Sequence, residues 1–122
     1  MDLKLSSKSI DWVLSVKLAN NKPELATELL SLLIDDLPKI RDIINQAFET
    51  QDYEAMHQQV HKLHGASCYC GVPRLKEISA HFETKLKRKD KKSFSNFMKL
   101  LNSEIERILS EYSVLEKQID TN

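Results

Sequence analysis

Glycine and proline are scarce in this sequence, which has 2 glycines and 3 prolines among 122 residues. Stretches that alternate apolar and polar residues, as half-buried strands do, are missing as well. With few backbone breakers and no strand pattern, helices are the expected secondary structure. The length suits one domain, which we expect to span residues 1–122. A domain of this size buries roughly 65% of the surface that its unfolded chain exposes.

Long apolar runs, an excess of charge and a cysteine framework are missing too. No run approaches the roughly 20 apolar residues of a membrane-spanning helix, and the start, MDLKLSSKSID, lacks the apolar part of a signal peptide. The 18 basic residues equal the 18 acidic ones, which argues against a protein that neutralises many nucleic-acid phosphates. Cys68 and Cys70 would point about 200° apart on a helix and could not bridge each other. We therefore expect a soluble, reduced, cytoplasmic protein with no nucleic-acid partner and no direct membrane contact.

Apolar residues recur at every third or fourth position over long stretches, a pattern typical of amphipathic helices. Pro23 and Pro73 suit the first turns of two of these helices, and Ser9 is a candidate N-cap of the first helix. Pro38 either kinks the second helix or separates two helices. We expect helices at about 9–20, 23–50, 53–69, 73–88 and 93–118.

Four long helices with short connections predict an all-α fold. We expect an antiparallel four-helix bundle with a short additional N-terminal helix that caps one end. The predicted apolar stripe of the second helix is Leu25, Leu29, Leu32, Leu33, Ile40, Ile44 and Ala47. The stripe of the third helix is Tyr53, Met56, Val60, Leu63 and Ser67. The basic run KLKRKDKK, 85–92, is expected to close the fourth helix and form a turn, because cations suit a helix C-terminus.

Both glycines fall in one stretch, VHKLHGASCYCG, residues 60–71. Inside a helix Gly65 costs about 1 kcal/mol relative to alanine. At about 100° per residue, His61 lies about 120° from the centre of the apolar stripe, His64 about 60° and Gly65 about 160°. His61 should therefore be exposed, His64 should lie at the boundary, and Gly65 should face outward. Gly65 either admits another macromolecule to His61, or is a tolerated residue, or packs against another segment.

An exposed imidazole suits nucleophilic chemistry, because a histidine side chain is largely neutral near pH 7 and can form a covalent intermediate. The sequence has no convincing Ser, His and Asp arrangement of a hydrolase, no phosphate-cradling glycine loop and no ATP-site motif. Any phosphoryl group that reaches His61 would therefore come from another protein domain.

The segment HKLHG, 61–65, resembles the phosphoacceptor motif of histidine-containing phosphotransfer domains, His-x-hydrophobic-Lys-Gly. The resemblance extends to Gly71, to GVPRL and to HFE, and IDWVLSVKLANNKPELATELLSLLIDDLP looks like the start of such domains in BarA-type hybrid sensor kinases. The family is a four-helix bundle with one exposed phosphorylated histidine, which by position is His61. Gly65 matches the glycine that lets a receiver domain approach.

Two positions refine the resemblance. His64 stands where most members have lysine; it could donate a hydrogen bond and carry charge at lower pH, or it could be a half-buried packing residue. Glu83 stands where some members have a polar residue that hydrogen-bonds the imidazole. A carboxylate there would accept from Nδ1–H and leave Nε2 free to attack, although Glu83 could also be an ordinary exposed glutamate. Lys62 and Arg74 could pair with an acidic receiver surface.

The resemblance implies a relay in which His61 takes a phosphoryl group from a receiver aspartate and gives it to a second receiver. The partners would be the receiver domains of a hybrid kinase and of a response regulator. Mg²⁺ would be held by the receiver, so this domain would need no cofactor. We expect a monomer that is not an enzyme in isolation and that belongs to a hybrid sensor kinase, such as the cytoplasmic tail of a membrane-anchored one.

Two other functions remain open at this point. His57, His61, His64 and Cys68 recur at spacings of four, three and four, and such a stripe could ligate zinc, although one helix rarely completes tetrahedral coordination. The chain could also be a helical interaction module without chemistry, which uptake of a phosphoryl group would exclude.

Overall fold

The computed structural model describes residues 5–120 and the side chains of residues 5–118. This part of the chain holds no strand, so the all-α prediction is confirmed. A 3₁₀ turn at Lys91–Ser93 precedes the last helix. The five α-helices are α1 Trp12–Leu18, α2 Pro23–Glu49, α3 Tyr53–Ser67, α4 Pro73–Lys87 and α5 Phe94–Asp120.

Helices α2 to α5 form the predicted four-helix bundle. Each of them contacts the next one along the chain, and α2 also contacts α5, which closes the ring. The short α1 contacts α2. The backbone N–H of Asp11, just before α1, donates to the carbonyl of Gly71 at 2.8 Å. The additional helix therefore covers the end of the bundle where α2 begins and α3 ends, as the sequence predicts. Within residues 5–120 no helix combines the length and the apolarity that crossing a bilayer requires.

The predicted N-cap of α1 is wrong. The cap is Asp11, whose carboxylate accepts from the N–H of Leu14 at 3.1 Å. Ser9 is 2% exposed and lies beside the Glu104 carboxyl of α5, because the chain before α1 packs against the bundle before it turns into the helix. Pro23 and Pro73 begin α2 and α4 as expected.

Helix α2 continues without a break from Pro23 to Glu49, and Pro38 lies inside it. A junction of two helices at Pro38 is therefore wrong. Proline has no N–H to donate to the carbonyl four residues earlier, so one backbone hydrogen bond of α2 is missing at Pro38. The helix nevertheless continues on both sides of this residue. The buried face of α2 consists of Ala26, Leu30, Leu33, Leu37, Ile40, Ile44 and Ala47.

The predicted stripe of α2 is correct from Leu33 onward, holds in part at Leu29, and is wrong at Leu25 and Leu32. Leu25 is 38% exposed and Leu32 is 57% exposed, whereas Ala26 and Leu30 are buried. Leu29 is partly buried. The physical reason is that α2 packs against α3 on one side and α5 on the other, so the face between them is buried. Leu32 lies at a surface hollow between α2 and α3 and stays exposed.

The core fixes how α3 and α4 are rotated. Met56, Val60 and Leu63 of α3 are fully buried, as is Phe82 of α4. The Phe82 ring stacks on Phe97 of α5, with 5.4 Å between the ring centroids. With these side chains turned inward, the residues next to them in sequence face outward or toward the neighbouring helix.

A histidine and glutamate cluster between α3 and α4

The packing of α3 turns its histidines toward solvent and toward α4. The side chain of His61 is 74% exposed, and that of His64 is 29% exposed. Gly65 faces open space, because a Cβ added there would meet no atom within 4 Å. These three residues thus have the directions that helix geometry predicts.

Glu83 of α4 lies against this row of histidines, and its side chain is only 8% exposed. One carboxylate oxygen, Oε2, accepts a hydrogen bond from Nδ1 of His61. The other, Oε1, accepts from Nδ1 of His64 at 3.3 Å. Glu83 is therefore not an exposed surface glutamate, and it joins the two histidines of the HKLHG segment.

His57 completes the cluster, although the sequence suggested it only as a metal ligand. Its Nε2 lies 3.9 Å from Oε2 of Glu83, and its side chain is 34% exposed. Residues four apart share a helix face, so His57 and His61 both face Glu83. The sequence suggests Glu83 as a partner of His61, but it does not reveal that the same carboxylate also lies beside His57.

Electrostatics keep the Glu83 carboxyl ionised. Burial by itself would raise its pKa, but the hydrogen bonds from His61 and His64 and the charges of His61 and Lys87 outweigh burial, and the pKa lies below the ordinary value of 4.5. An ionised carboxylate only accepts hydrogen bonds. The hydrogen of the neutral His61 ring therefore lies on Nδ1, and the lone pair of Nε2 is available to an incoming electrophile.

The geometry does not support a zinc site. Nδ1 of both His61 and His64 is engaged by Glu83. The Cys68 thiol donates instead to the backbone carbonyl of His64 at 3.3 Å. Among the described side chains, no three His, Cys, Asp or Glu residues are arranged to hold a metal ion.

Two basic residues that could have met a receiver have different surroundings. Arg74 forms an ion pair with the buried Glu104, with 3.4 Å between Nε and Oε1. Its guanidinium group is therefore already paired within the domain. Lys62 lines a hollow on the surface between α2 and α3. We call this site the α2–α3 hollow; it has a volume of about 190 Å³, and its wall includes Leu29, Leu32, Lys62, Ala66 and Tyr69.

Gly71 has a structural role that the sequence did not reveal. A Cβ at this position would overlap the backbone carbonyl of Asp11 and would lie 2.6 Å from the backbone nitrogen of Ser15. Its φ is not positive, so the position requires close approach rather than a special backbone conformation. The missing side chain lets α1 contact the turn between α3 and α4.

This fold and this site define a phosphotransfer module. The chain belongs to the Hpt domain family, whose model matches residues 28–111. The resemblance found in HKLHG is therefore confirmed.

Relatives and a solved structure agree with this family. The chain is 37% identical over 94 residues to the sensor histidine kinase GacS of Pseudomonas protegens, and 34% identical over 79 residues to the signal transduction histidine-protein kinase BarA of Escherichia coli K12. These matches cover 77% and 65% of the chain but 10% and 9% of the kinases, so the chain spans about a tenth of their length. The HPT domain of a sensor hybrid histidine kinase from Shewanella has a similar fold, with a TM-score of 0.82 and 35% identity, covering 90% of this chain and 95% of that one.

Proposed function

We propose that this domain is the histidine phosphotransfer module of a two-component phosphorelay. His61 accepts a phosphoryl group from an aspartate of one receiver domain and passes it to the receiver of a response regulator. The observation that carries the proposal is the pairing at His61: the buried Glu83 holds Nδ1, while the side chain is 74% exposed and Nε2 is left unengaged. Membership of the Hpt family supports the same chemistry.

The transfer step requires no general base. Nε2 of neutral His61 attacks phosphorus, the P–O bond to the receiver aspartate breaks, and the aspartate carboxylate leaves with the electron pair. The proton stays on Nδ1, so the phosphorylated ring is positively charged. The Glu83 carboxylate stabilises that charge through a charge-assisted hydrogen bond. Passing the phosphoryl group to the second receiver reverses these bond changes.

The receiver would contribute the remaining chemistry. Phosphoryl transfer depends mainly on positioning and electrostatic stabilisation. We expect the receiver to hold Mg²⁺ beside its aspartate, so that this domain needs no cofactor and is not an enzyme in isolation. Its own contribution is a nucleophile on a rigid support, because α3 is anchored by the fully buried Val60 and Leu63.

The surface around His61 suits a transient protein contact. Gly65, one turn beyond His61, has no side chain that could stand between His61 and a partner, and it faces open space. On the α2 side, Leu32 and Tyr69 are 57% and 68% exposed, and they lie at the α2–α3 hollow beside Lys62. Apolar side chains with a polar rim are typical of interface cores. We therefore place the receiver over α3 and the α2–α3 hollow.

The kinase relatives suggest the biological setting. The matched segment is about a tenth of GacS and of BarA. We propose that the domain works in the cytoplasm, as a monomer within or beside a hybrid sensor kinase, and connects the receiver of that kinase to a response regulator.

Phosphoryl uptake tests the proposal. A receiver domain carrying a labelled aspartyl phosphate is mixed with the domain, and the product is assayed for acid-labile, alkali-stable label. His61→Gln should abolish uptake. His81→Gln is the matched control, since His81 is exposed on α4 outside the cluster. Undiminished uptake by His61→Gln would show that another side chain is the acceptor.

A further inference from the structure

The transfer chemistry at His61 leaves the basic run at residues 85–92 unexplained. This run, which we call the basic turn, holds six basic residues and one acidic residue in a chain whose formal charge is zero. It ends α4 at Lys87 and leads through the 3₁₀ turn into α5. Lys89 has a φ of 56°, and the N–H of Asp90 donates to the carbonyl of Lys85 at 3.0 Å. The basic turn therefore has a defined backbone shape that fixes where its cations lie.

Beside the basic turn lies a cavity of about 460 Å³, which we call the basic-turn cavity. Its wall includes the buried apolar side chains of Leu86 and Phe94. Two exposed lysines of the basic turn, Lys89 and Lys91, line it as well. Lys91 lies over the ring of Tyr53, which also lines the cavity, with 5.2 Å between Nζ and the ring centroid. This contact holds one of the two cations in place.

The basic-turn cavity favours an anionic group. Lys89 and Lys91 bring two positive charges to its wall, and Glu54 brings one negative charge. His57 lines the cavity too and adds positive charge when it is protonated. The other cations of the basic turn strengthen the positive potential around it. Apolar wall and cationic rim together suit an acidic side chain, whose carbon stem and carboxylate need different surroundings.

His61 lies between this cavity and the α2–α3 hollow along α3. His57 lines the cavity one turn before His61, and Ala66 lines the hollow about one turn beyond it. At 1.5 Å per residue, α3 from Tyr53 to Ala66 spans about 20 Å. A contact patch of about 800 Å² per partner is roughly 30 Å across. A protein centred on His61 therefore reaches both the hollow and the cavity.

The receiver of the proposed mechanism has the matching charge near its aspartate. The phosphoryl group carries about two negative charges, and Mg²⁺ is held in proteins by carboxylates together with phosphate oxygens. The two charges of the metal ion offset only part of this negative charge. The face of the receiver that meets His61 is therefore acidic, and acidic and basic surfaces attract each other before contact.

We propose that the basic-turn cavity is a second contact site for the receiver and binds an acidic side chain from the face around its phosphorylated aspartate. The proposal rests on the proposed phosphotransfer function and extends the docking surface from the α2–α3 hollow, across His61, to the turn between α4 and α5. Charges at the edge of an interface act mainly on the rate of association. The effect of Lys89 and Lys91 falls as salt increases.

A kinetic test compares two double variants that lose the same charge. Lys89→Asn with Lys91→Gln removes the two cations of the cavity, and asparagine tolerates the left-handed backbone at position 89. Lys92→Gln with Lys99→Gln is the matched control, because both lysines are exposed and line a separate hollow at the start of α5. Each domain receives its phosphoryl group from a phosphorylated receiver or from phosphoramidate, whose P–N bond breaks as the bond to Nε2 forms and ammonia leaves. Urea unfolding verifies that both variants are folded.

The cavity variant should accept the phosphoryl group from the receiver with a second-order rate constant about two- to tenfold lower at low salt. The loss should fade at high salt. Its rate at saturating receiver and its uptake from phosphoramidate should match the wild type, and the control variant should match it throughout. A wild-type second-order rate constant in the cavity variant, an equal loss in the control, or an equal loss with phosphoramidate overturns the proposal.

Cross-linking identifies the group that the cavity binds. A carbodiimide condenses a lysine amine with a carboxylate to an amide and takes up the water as a urea. In the complex, Lys89 or Lys91 should be joined to an aspartate or glutamate of the receiver, as located by mass spectrometry. Cross-links of these lysines only to a second copy of this domain, or to no receiver carboxylate, overturn the proposal. A wild-type domain that accepts no phosphoryl group from either donor overturns the proposed function itself, and this proposal with it.

Discussion

At the scale of single residues, Glu83 determines what His61 can do. It is buried, ionised and hydrogen-bonded to Nδ1 of both His61 and His64. This arrangement selects the ring form with the hydrogen on Nδ1 and compensates the charge that phosphorylation creates on the ring. His64, in contrast to a lysine, shares the carboxylate with the nucleophile, so its protonation changes the charge of the cluster directly.

The replacement His64→Lys should make phosphorylation less dependent on pH. Lysine stays charged between pH 5 and 8, whereas a histidine can change its charge there. The equilibrium fraction of phosphorylated His61 should therefore fall more steeply with rising pH in the wild type than in His64→Lys, with the same receiver, from about pH 5.5 to 8. The two proteins differ only at position 64, so the difference between their profiles is the diagnostic quantity. Superimposable profiles would mean that His64 only packs.

Gly65 should matter for access and not for folding. Because a Cβ there meets open space, Gly65→Ala should be neutral or should stabilise the fold by up to about 1 kcal/mol. Gly65→Gln should keep the fold but slow transfer from a receiver, since its side chain stands beside His61. Rates of transfer and urea unfolding separate the two effects. A wild-type transfer rate in Gly65→Gln would refute the access argument.

At the scale of helices, the close contact between α1 and the α3–α4 turn depends on Gly71. The overlap of an added Cβ involves backbone atoms of Asp11 and Ser15, which a rotamer change cannot relieve. The same contact includes the hydrogen bond from the Asp11 N–H to the Gly71 carbonyl. Displacement of α1 would therefore loosen the end of the bundle that this helix covers.

The two glycines provide a matched pair of alanine variants. Gly71→Ala should destabilise the fold by about 1–3 kcal/mol, the usual cost of forcing an extra carbon into a packed site. Gly65→Ala, the same chemical change on an open surface, should not destabilise it. The free energy of unfolding from urea titrations gives both values. Equal effects of the two replacements would contradict the close contact at Gly71.

Helix positions could be predicted from local sequence, but the site could only partly be predicted. Pro23 and Pro73 favour the first turn of a helix independently of the tertiary structure. The direction of the His61 side chain likewise follows from the buried stripe of its own helix. The burial of Glu83 could not be derived in this way, because it depends on how α4 is rotated against α3 by the packing of Phe82. The cap of α1 was mispredicted for a related reason: the burial of Ser9 depends on tertiary contacts.

At the scale of the whole molecule, two buried carboxyls give stability opposite dependences on pH. The pKa of Glu83 is lowered, so its contribution is present above the ordinary value of 4.5 and is lost as the pH falls through the lower value of the folded state. Burial raises the pKa of Glu104, and the Ser9 hydroxyl and Arg74 only partly oppose it. Its contribution is present at low pH and is lost as the pH rises through that higher pKa.

Acid should therefore remove the contribution of Glu83 selectively. At pH 7 Glu83→Gln should be less stable than the wild type by about 1.5–3 kcal/mol, the usual contribution of a hydrogen bond to a charged group. The difference should shrink as the pH falls below 4.5, since the wild-type carboxyl then becomes neutral as well. Urea unfolding at a series of pH values measures it. A difference that does not change with pH would contradict an ionised Glu83 in the folded state.

The central claim is that the phosphoryl group bonds to Nε2 of His61 while Nδ1 keeps its proton against Glu83. The most direct measurement is a ³¹P- and ¹⁵N-resolved NMR correlation spectrum of the domain after transfer from a phosphorylated receiver. The account predicts one P–N coupling, to Nε2 of His61, and a protonated Nδ1 on the same ring. A phosphoryl group on Nδ1, on His64 or on any other side chain would contradict it.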